Sequence, residues 1–300
     1  MIIDLKEHSN QNLENNSGES IKNQKDMYVK LGNKAKELFI LKSMGINTPD
    51  GFILDVDVFD QIISFNGIEE DVLYLIEELK NEKKVNGEIT ADTRYKIKAI
   101  SKEFKKLFAS IALPEEITCK VNTFIKDDIK YAVRSSGIKE DLDRYSFAGM
   151  YETYLSVTGK KGIKEAIIKC YMSIFSENVL TYMIDNGIEF DSLKMAILVQ
   201  EMVPSEYSGV VFTLNPMSGK DTEMVIDVVE GLGNNYVEGH TRPETYYYDW
   251  YNNEYRYNKK NTYLTTQVLK KLCQIALDIQ LIYGKPCDIE YGIVDEEVHI

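Results

Sequence analysis

Little in this 300-residue sequence invites covalent cross-linking or metal capture by thiols. Its four cysteines, Cys119, Cys170, Cys273 and Cys287, lie far apart and form no C-x-x-C pair. That spacing indicates neither a zinc site nor a disulfide framework, and it fits reduced thiols in the cytosol. No apolar run reaches the roughly 18 residues that a membrane span requires. The opening "MIIDLKEHSN" has no secretory apolar core. Positive charge is also scarce. Lys and Arg number 35 against 48 Asp and Glu, a net charge of −13, which argues against a nucleic-acid backbone as partner. The P-loop pattern G-x-x-x-x-G-K-[ST] is absent. The expectation is a cytoplasmic protein with no membrane or nucleic-acid partner, in which a few local cations and a divalent metal can still hold one nucleotide.

The composition, 44% hydrophobic and 28% charged, is that of a soluble globular protein long enough for two lobes. Residues 1–25 are expected to form a disordered arm, because "KEHSNQNLENNSGESIKNQK" is polar and nearly without apolar periodicity. Order is expected to begin at Tyr28, with Leu31, Ala35, Leu38 and Phe39 at helical spacing before Gly45. Further helices are read between about 55 and 128, including 92–109 and one starting at Pro114. Strands dominate from 130 onward: "YAVRSS", "ETYLSV", "KMAILVQEMV", "SGVVFTLNP", "TEMVIDVVEG", "CDIEYGIV" and "EVHI". A late helix carries Val268, Leu272, Ile275, Ile279 and Ile282 on one face. The expected class is α+β, with a first lobe over 26–193 and a second over 194–300.

Arg134, read at the end of the strand "YAVRSS", can hold phosphate oxygens bidentately and stays charged at any working pH. Beyond it, Ser146-Phe147-Ala148-Gly149 has the small residues of a turn whose N–H groups cradle an anion, and Thr153 can add a hydroxyl. The alternative is a surface hairpin in which Arg134 pairs with Glu140 or Asp141. Lys34 opens an amphipathic helix, where unsatisfied N–H groups favour anions, although most lysines so placed are simply solvated. Gln200 and Glu201 end a buried strand whose edge can read a purine, or which merely surfaces there. Asp288 and Glu290, two apart in a strand, share a face and suit Mg²⁺; an exposed acidic face is the other reading. "GLGNNY" (231–236) is taken as a turn, and "TYYYDWYNNEYRY" as a β-hairpin with aromatic cross-strand pairs.

Six segments in order resemble the N-terminal ATP-binding region shared by phosphoenolpyruvate synthase, pyruvate phosphate dikinase and rifampicin phosphotransferase. They are "LGNKAKEL", "GINTPDGFIL", "YAVRSSGIKEDLDRYSFAGMYETYLSV", "ILVQEMVPSEYSGVVFTLNP", "EGLGNNYVEG" and "GKPCDIEYGI". The resemblance implies a two-lobed ATP-grasp-type fold that uses ATP and Mg²⁺. It implies that Lys34 and Arg134 contact phosphates and act catalytically, that Gly149 and Thr153 form the phosphate-holding loop, and that Gln200 and Glu201 sit at the adenine. Glu290 would bind ATP and, with Asp288, the metal. The family reaction splits ATP to AMP and sends the β-phosphate through a carrier histidine to a small acceptor such as pyruvate or an antibiotic. None of His8, His240 and His299 has the carrier's Gly- and Thr/Ser-rich setting. The family's usual Gly-Gly-Lys-Gly is Gly32-Asn33-Lys34-Ala35 here, Met150 replaces a common glutamine, and Ile300 is reached before the family's Gln-x-Arg-Pro segment. The expectation is one module of a phosphotransferase, with a phosphohistidine carrier and an acceptor-binding domain as partners in a longer chain or a separate protein. The alternative is a stand-alone ATP-binding or partner-docking module without catalysis. A carboxylate–amine ligase of the same fold is a more distant reading.

Overall fold

The computed structural model describes residues 1–7, 18–82, 84, 88–138, 141–142, 145–147, 149–190, 193–233, 242–257 and 263–300, without the side chains of 18–26, 141–142 and 145–146. Two compact units divide the chain: Met1–Ser43 with Asp50–Met202, and Met44–Pro49 with Val203–Ile300. The first contains β1 (Ile2–Asp4), α1 (Gly18–Ser43), β2 (Gly51–Leu54), α2 (Val56–Phe65), α3 (Glu69–Lys80), α4 (Ala91–Ala109), α5 (Glu115–Phe124) and β3 (Tyr131–Gly137). It continues with β4 (Asp141–Leu142), β5 (Tyr145–Ser146), β6 (Thr153–Val157), α6 (Gly159–Ser173), α7 (Glu177–Asn186) and β7 (Met195–Glu201).

Five of these strands form an antiparallel sheet in the order β1-β2-β7-β3-β6. Alternation along the central strands sorts side chains between two cores. Tyr131, Val133, Ile197, Val199, Phe52 and Leu54 face a large core shared with α2, α4, α6 and α7, where Phe104 stacks on Phe175 with ring centroids 3.9 Å apart. Ile53, Ala196 and Leu198 face the other way, against Leu31, Ala35, Leu38 and Phe39 of α1. Helix α4 begins where Thr90 accepts the Thr93 N–H, and it buries Ile97, Ile100, Phe104 and Phe108 at helical spacing.

Helix α1 is broken at Gly32, whose φ of 67° and ψ of 171° are not helical. The break lies hard against β3: a Cβ on Gly32 would stand 2.1 Å from the Ser136 carbonyl oxygen. Immediately past the break, the Ala35 N–H donates to Ser136 Oγ at 3.0 Å.

The second unit contains β8 (Tyr207–Phe212), β9 (Glu223–Glu230), β10 (Glu244–Asp249), β11 (Glu254–Tyr257), α8 (Thr266–Tyr283), β12 (Asp288–Val294) and β13 (Glu297–His299). Its sheet is antiparallel, in the order β11-β10-β9-β8-β12-β13. The tyrosine-rich run forms the expected hairpin, with Tyr248 stacked on Tyr255 at 4.4 Å and Tyr246 edge-on to Tyr257 at 5.8 Å. At its tip Asp249 accepts the Tyr251 and Asn252 N–H groups at 3.1 and 3.0 Å, and it pairs with Lys220.

Mixed helices and antiparallel sheets bear out the α+β expectation. The arm differs from its reading. Ile2–Asp4 pairs with β2, and Ile2, Ile3 and Leu5 are buried, because the short apolar run before Lys6 completes the sheet edge and the α1 core. Helix α1 begins at Gly18, ahead of Tyr28; residues 8–17, part of the expected disordered arm, lie outside the described residues. Strand β7, read as opening the second lobe at 194, lies at the centre of the first unit's sheet, so the division falls after Met202. In α8 the buried stripe runs Val268, Leu269, Leu272, Cys273, Ala276 and Ile279, and Ile282 at the last turn is exposed.

Two predictions follow from this geometry. Gly32→Ala should destabilise the protein by about 2–4 kcal/mol, combining the left-handed backbone cost with the forced contact at Ser136. Gly187→Ala, at φ 64° with nothing within 4 Å of its Cβ, should lose only about 1 kcal/mol. Chemical denaturation of the two variants checks the difference, and equal losses would remove the close approach as its cause. The second prediction concerns pH. The Lys220 ammonium and the Asn252 N–H hold the Asp249 carboxyl down from 3.8 to about 2. A depressed carboxylate stabilises the fold above its ordinary value and loses that contribution as pH falls through its folded value. The stability gap between wild type and Asp249→Asn should therefore close between pH 3.8 and about 2. A gap constant with pH would count against the ion pair.

Candidate functional site

Arg134 is in the middle of β3 rather than at its end. The strand continues through Ser135, Ser136 and Gly137, all paired with β7. Both serines are fully buried, so the Arg-Ser-Ser run belongs to the sheet and not to the loop after it. Across the ladder Arg134 stands opposite Thr153 on β6 and Leu198 on β7. Gln200 stands opposite Ala132 on β3 and Gly51 on β2. Directly paired antiparallel residues share a face, as do residues two apart. Arg134, Thr153 and Gln200 therefore project from the α1 side of the sheet, where Arg134 Nη1 donates to Gln200 Oε1 at 3.4 Å. The surface-hairpin alternative needs the Glu140 or Asp141 side chains, which lie outside the described residues.

Lys34 is brought to this face by the helix break. It is half-buried, two residues past Gly32 and one before Ala35, and Ser136, which Gly32 abuts and which accepts the Ala35 N–H, is two residues from Arg134 on its strand. The residues flanking Lys34 are committed to packing. Ala35 is fully buried against β7, and its N–H is taken by Ser136.

Gly149 lies in a turn that Met150 closes by donating its N–H to the Phe147 carbonyl at 3.0 Å. Phe147 anchors that turn in the core, stacked on Tyr151 at 5.5 Å and edge-on to Tyr182 at 5.0 Å. Gly149 is exposed, with φ 71° and nothing within 4 Å of where a Cβ would stand, so its backbone conformation and not packing requires glycine. Between Gly149 and Thr153, the Glu152 carbonyl accepts Ser135 Oγ at 2.8 Å. Ser135 and Ser136 thus support the candidate site, a role that their place in the strand "YAVRSS" did not by itself indicate. Their signal was small polar residues in an otherwise apolar buried strand.

Glu201 is separated from Gln200 by strand parity. It stands opposite Tyr131, whose ring lies in the large core, and its carboxylate pairs with Lys126 at 2.7 Å. That partner raises the Lys126 ammonium above its ordinary value. The Glu201 side chain is therefore not among the groups gathered around Arg134.

In the second unit, Asp288 and Glu290 are exposed on one face of β12 while Ile289, Tyr291 and Ile293 are buried on the other. Glu290 stands opposite Val210, which stands opposite Asp227, which stands opposite Thr245. Asp227 is thus a third carboxylate on this face, two strands away, accepting the Thr245 hydroxyl at 2.7 Å. Among the described residues no three Asp, Glu, His or Cys side chains gather closely enough to hold a metal by themselves. Two exposed carboxylates on alternate strand positions fit Mg²⁺, which commonly takes one or two carboxylates and completes its shell with phosphates and water. His299 is half-buried in β13; His8 and His240 lie outside the described residues.

The chain matches the family model described as pyruvate phosphate dikinase, AMP/ATP-binding domain, over residues 29–256. That span includes Lys34, Arg134, Gly149, Thr153, Gln200 and Glu201 and stops short of Asp288 and Glu290. A probable phosphoenolpyruvate synthase of Methanothermobacter thermautotrophicus is 30% identical over 90% of this chain and 42% of its own length. One from Archaeoglobus fulgidus is 32% identical over 90% of this chain and 39% of its own. A rifampicin phosphotransferase of Bacillus cereus is 29% identical over 90% of this chain and 33% of its own. The chain therefore spans 33% to 42% of the length of these relatives. By the family model and these identities, the chain belongs to the pyruvate phosphate dikinase AMP/ATP-binding domain family.

Proposed function

We propose that this chain binds Mg-ATP and serves as the nucleotide-binding part of a dikinase-type phosphotransferase. The reaction splits ATP to AMP and passes the β-phosphate through a carrier histidine outside this chain to a small acceptor, such as pyruvate or an antibiotic. The relatives' names and the cysteine thiols, none of them in a disulfide, support the transferase reading and a cytoplasmic setting. The observation that carries the reading is the gathering of Arg134, Thr153 and Gln200 on one sheet face, with the helix bearing Lys34 pinned beside them.

Each residue has a physical task in this proposal. Arg134 and Lys34 are fixed cations that hold phosphate oxygens and offset the charge developing on them during transfer. The Thr153 hydroxyl and the main chain at Gly149 donate hydrogen bonds to the same phosphates. Gln200, flanked by Gly51 and Ala132, presents its carboxamide to the adenine edge. Glu201 follows it on the strand, with its carboxylate held by Lys126. Asp288 and Glu290 would hold Mg²⁺, which supplies charge neutralisation on the polyphosphate.

With ATP at about 100 times its dissociation constant, Mg-ATP should add about 2.7 kcal/mol to the stability of the wild-type chain. Arg134→Ala should weaken binding about 10- to 100-fold, the worth of charge-assisted hydrogen bonds to phosphate. Lys106→Ala, on the exposed face of α4, should bind as the wild type does. Equal affinity of the two variants would remove Arg134 from the site. In Glu290→Gln, Mg²⁺ should raise ATP affinity less than in the wild type while metal-free binding is unchanged, and an undiminished Mg²⁺ effect would remove Glu290 as a ligand.

A further inference from the structure

Strand β6 contains a conflict between its sequence and regular pleating. Tyr154 and Val157 both pack against the large core. They are three residues apart, and a regular strand would send them to opposite faces. The ladder absorbs the extra residue as a bulge. Tyr131 stands opposite Val157 and Val133 opposite Tyr154, so Leu155 and Ser156 together face Ala132. Ser156 takes a φ of 57°, a left-handed conformation uncommon for a residue with a side chain.

The bulge turns the Ser156 N–H out of the ladder, and the acceptor it meets is the thioether of Met202, with N···Sδ 3.0 Å. The Ser156 hydroxyl lies 3.9 Å from the same sulfur. Met202 is two residues past Gln200, and its own N–H is held by the Lys130 carbonyl at 2.8 Å. The residue opposite the bulge, Ala132, is also the residue opposite Gln200. A strained backbone, a displaced N–H and a thioether thus meet at the end of β7 that carries Gln200. What the contact uses is the positive φ and the N–H it frees. Strain retained beside a site is evidence of a role there.

We propose that Ser156 and Met202 are positioning residues for the base-binding end of the site. Their contact ties the β6 bulge to the strand end that presents Gln200, so it governs recognition of the adenine and not of the phosphates. This role rests on the proposed ATP-binding function.

The test compares Mg-ATP with magnesium tripolyphosphate, which offers Lys34 and Arg134 a phosphate chain without a base. Isothermal titration would be run on the wild type, Ser156→Val, Met202→Leu, the double variant and Ser156→Gly. Valine is poorly tolerated at positive φ and leucine removes the sulfur, so each should weaken ATP about 3- to 10-fold, the worth of one hydrogen bond and the order it imposes. Tripolyphosphate affinity should be unchanged. The double variant should be no worse than the weaker single one, and Ser156→Gly, which keeps the N–H and the backbone conformation, should bind ATP like the wild type. Equal loss for both ligands, additive losses in the double variant, or wild-type ATP affinity in both single variants would each overturn the positioning role. A wild type that binds tripolyphosphate but not ATP would overturn it too, while leaving the phosphate site standing. Binding of neither ligand would overturn the nucleotide reading and this role with it.

Discussion

The Ser136 carbonyl leaves no room for a side chain on whatever residue approaches it, and Gly32 is the residue that α1 presents there. This one contact breaks the helix, starts its second segment at the sheet surface, and lets Ser136 Oγ take the N–H of Ala35. Lys34 sits between those two restraints. A side chain with four rotatable bonds gains little from proximity unless its backbone is fixed, and here the backbone is held on both sides. The departure from glycine at Ala35 fits this arrangement. Ala35 fills space in the core that α1 shares with β7, where a glycine would leave a gap.

Charge sets the second constraint. A chain with a net charge of −13 repels a polyphosphate at long range, and such repulsion is screened beyond about 8 Å at physiological salt. Inside that distance a few fixed cations decide the outcome. Lys126, the cation nearest in sequence before Arg134 apart from Lys130, is paired with Glu201 and belongs to the opposite face. The two carboxylates exposed on β12 carry the opposite sign, and such a pair suits a hard divalent cation.

The sequence made some of this legible and hid the rest for a consistent reason. The tyrosine hairpin, the alternation that exposes Asp288 and Glu290 together, and the helix over 91–109 were readable because each depends on residues close in the chain. The errors concern partners far away in sequence. Nothing local says that β7 inserts between β2 and β3, or that Ile2 and Ile3 supply an edge strand across more than 40 intervening residues. Strand parity, which is local, sends the Glu201 side chain to the face away from Gln200. The bulge at Leu155 and Ser156 left a trace as well, in the three-residue spacing of Tyr154 and Val157, which only a known strand partner turns into geometry.

The run Arg134-Ser135-Ser136 shows how one strand can assemble a site from three directions. Arg134 contributes its own guanidinium to the α1 face. Ser136, on the same face, holds the helix that carries Lys34. Ser135 points the other way and ties down the Glu152 carbonyl, immediately before Thr153, while the backbone ladder brings Thr153 opposite Arg134. A hydroxyl is the right group for both tasks, because it is small enough for a fully buried strand position and can donate or accept as its neighbour requires. Larger polar residues would not fit between the packed layers, and apolar ones would leave the Ala35 N–H and the Glu152 carbonyl without these partners. Two buried serines thus tie the helix that carries Lys34 and the chain before Thr153 to the strand of Arg134, and the sheet supplies the rigidity that a loop could not.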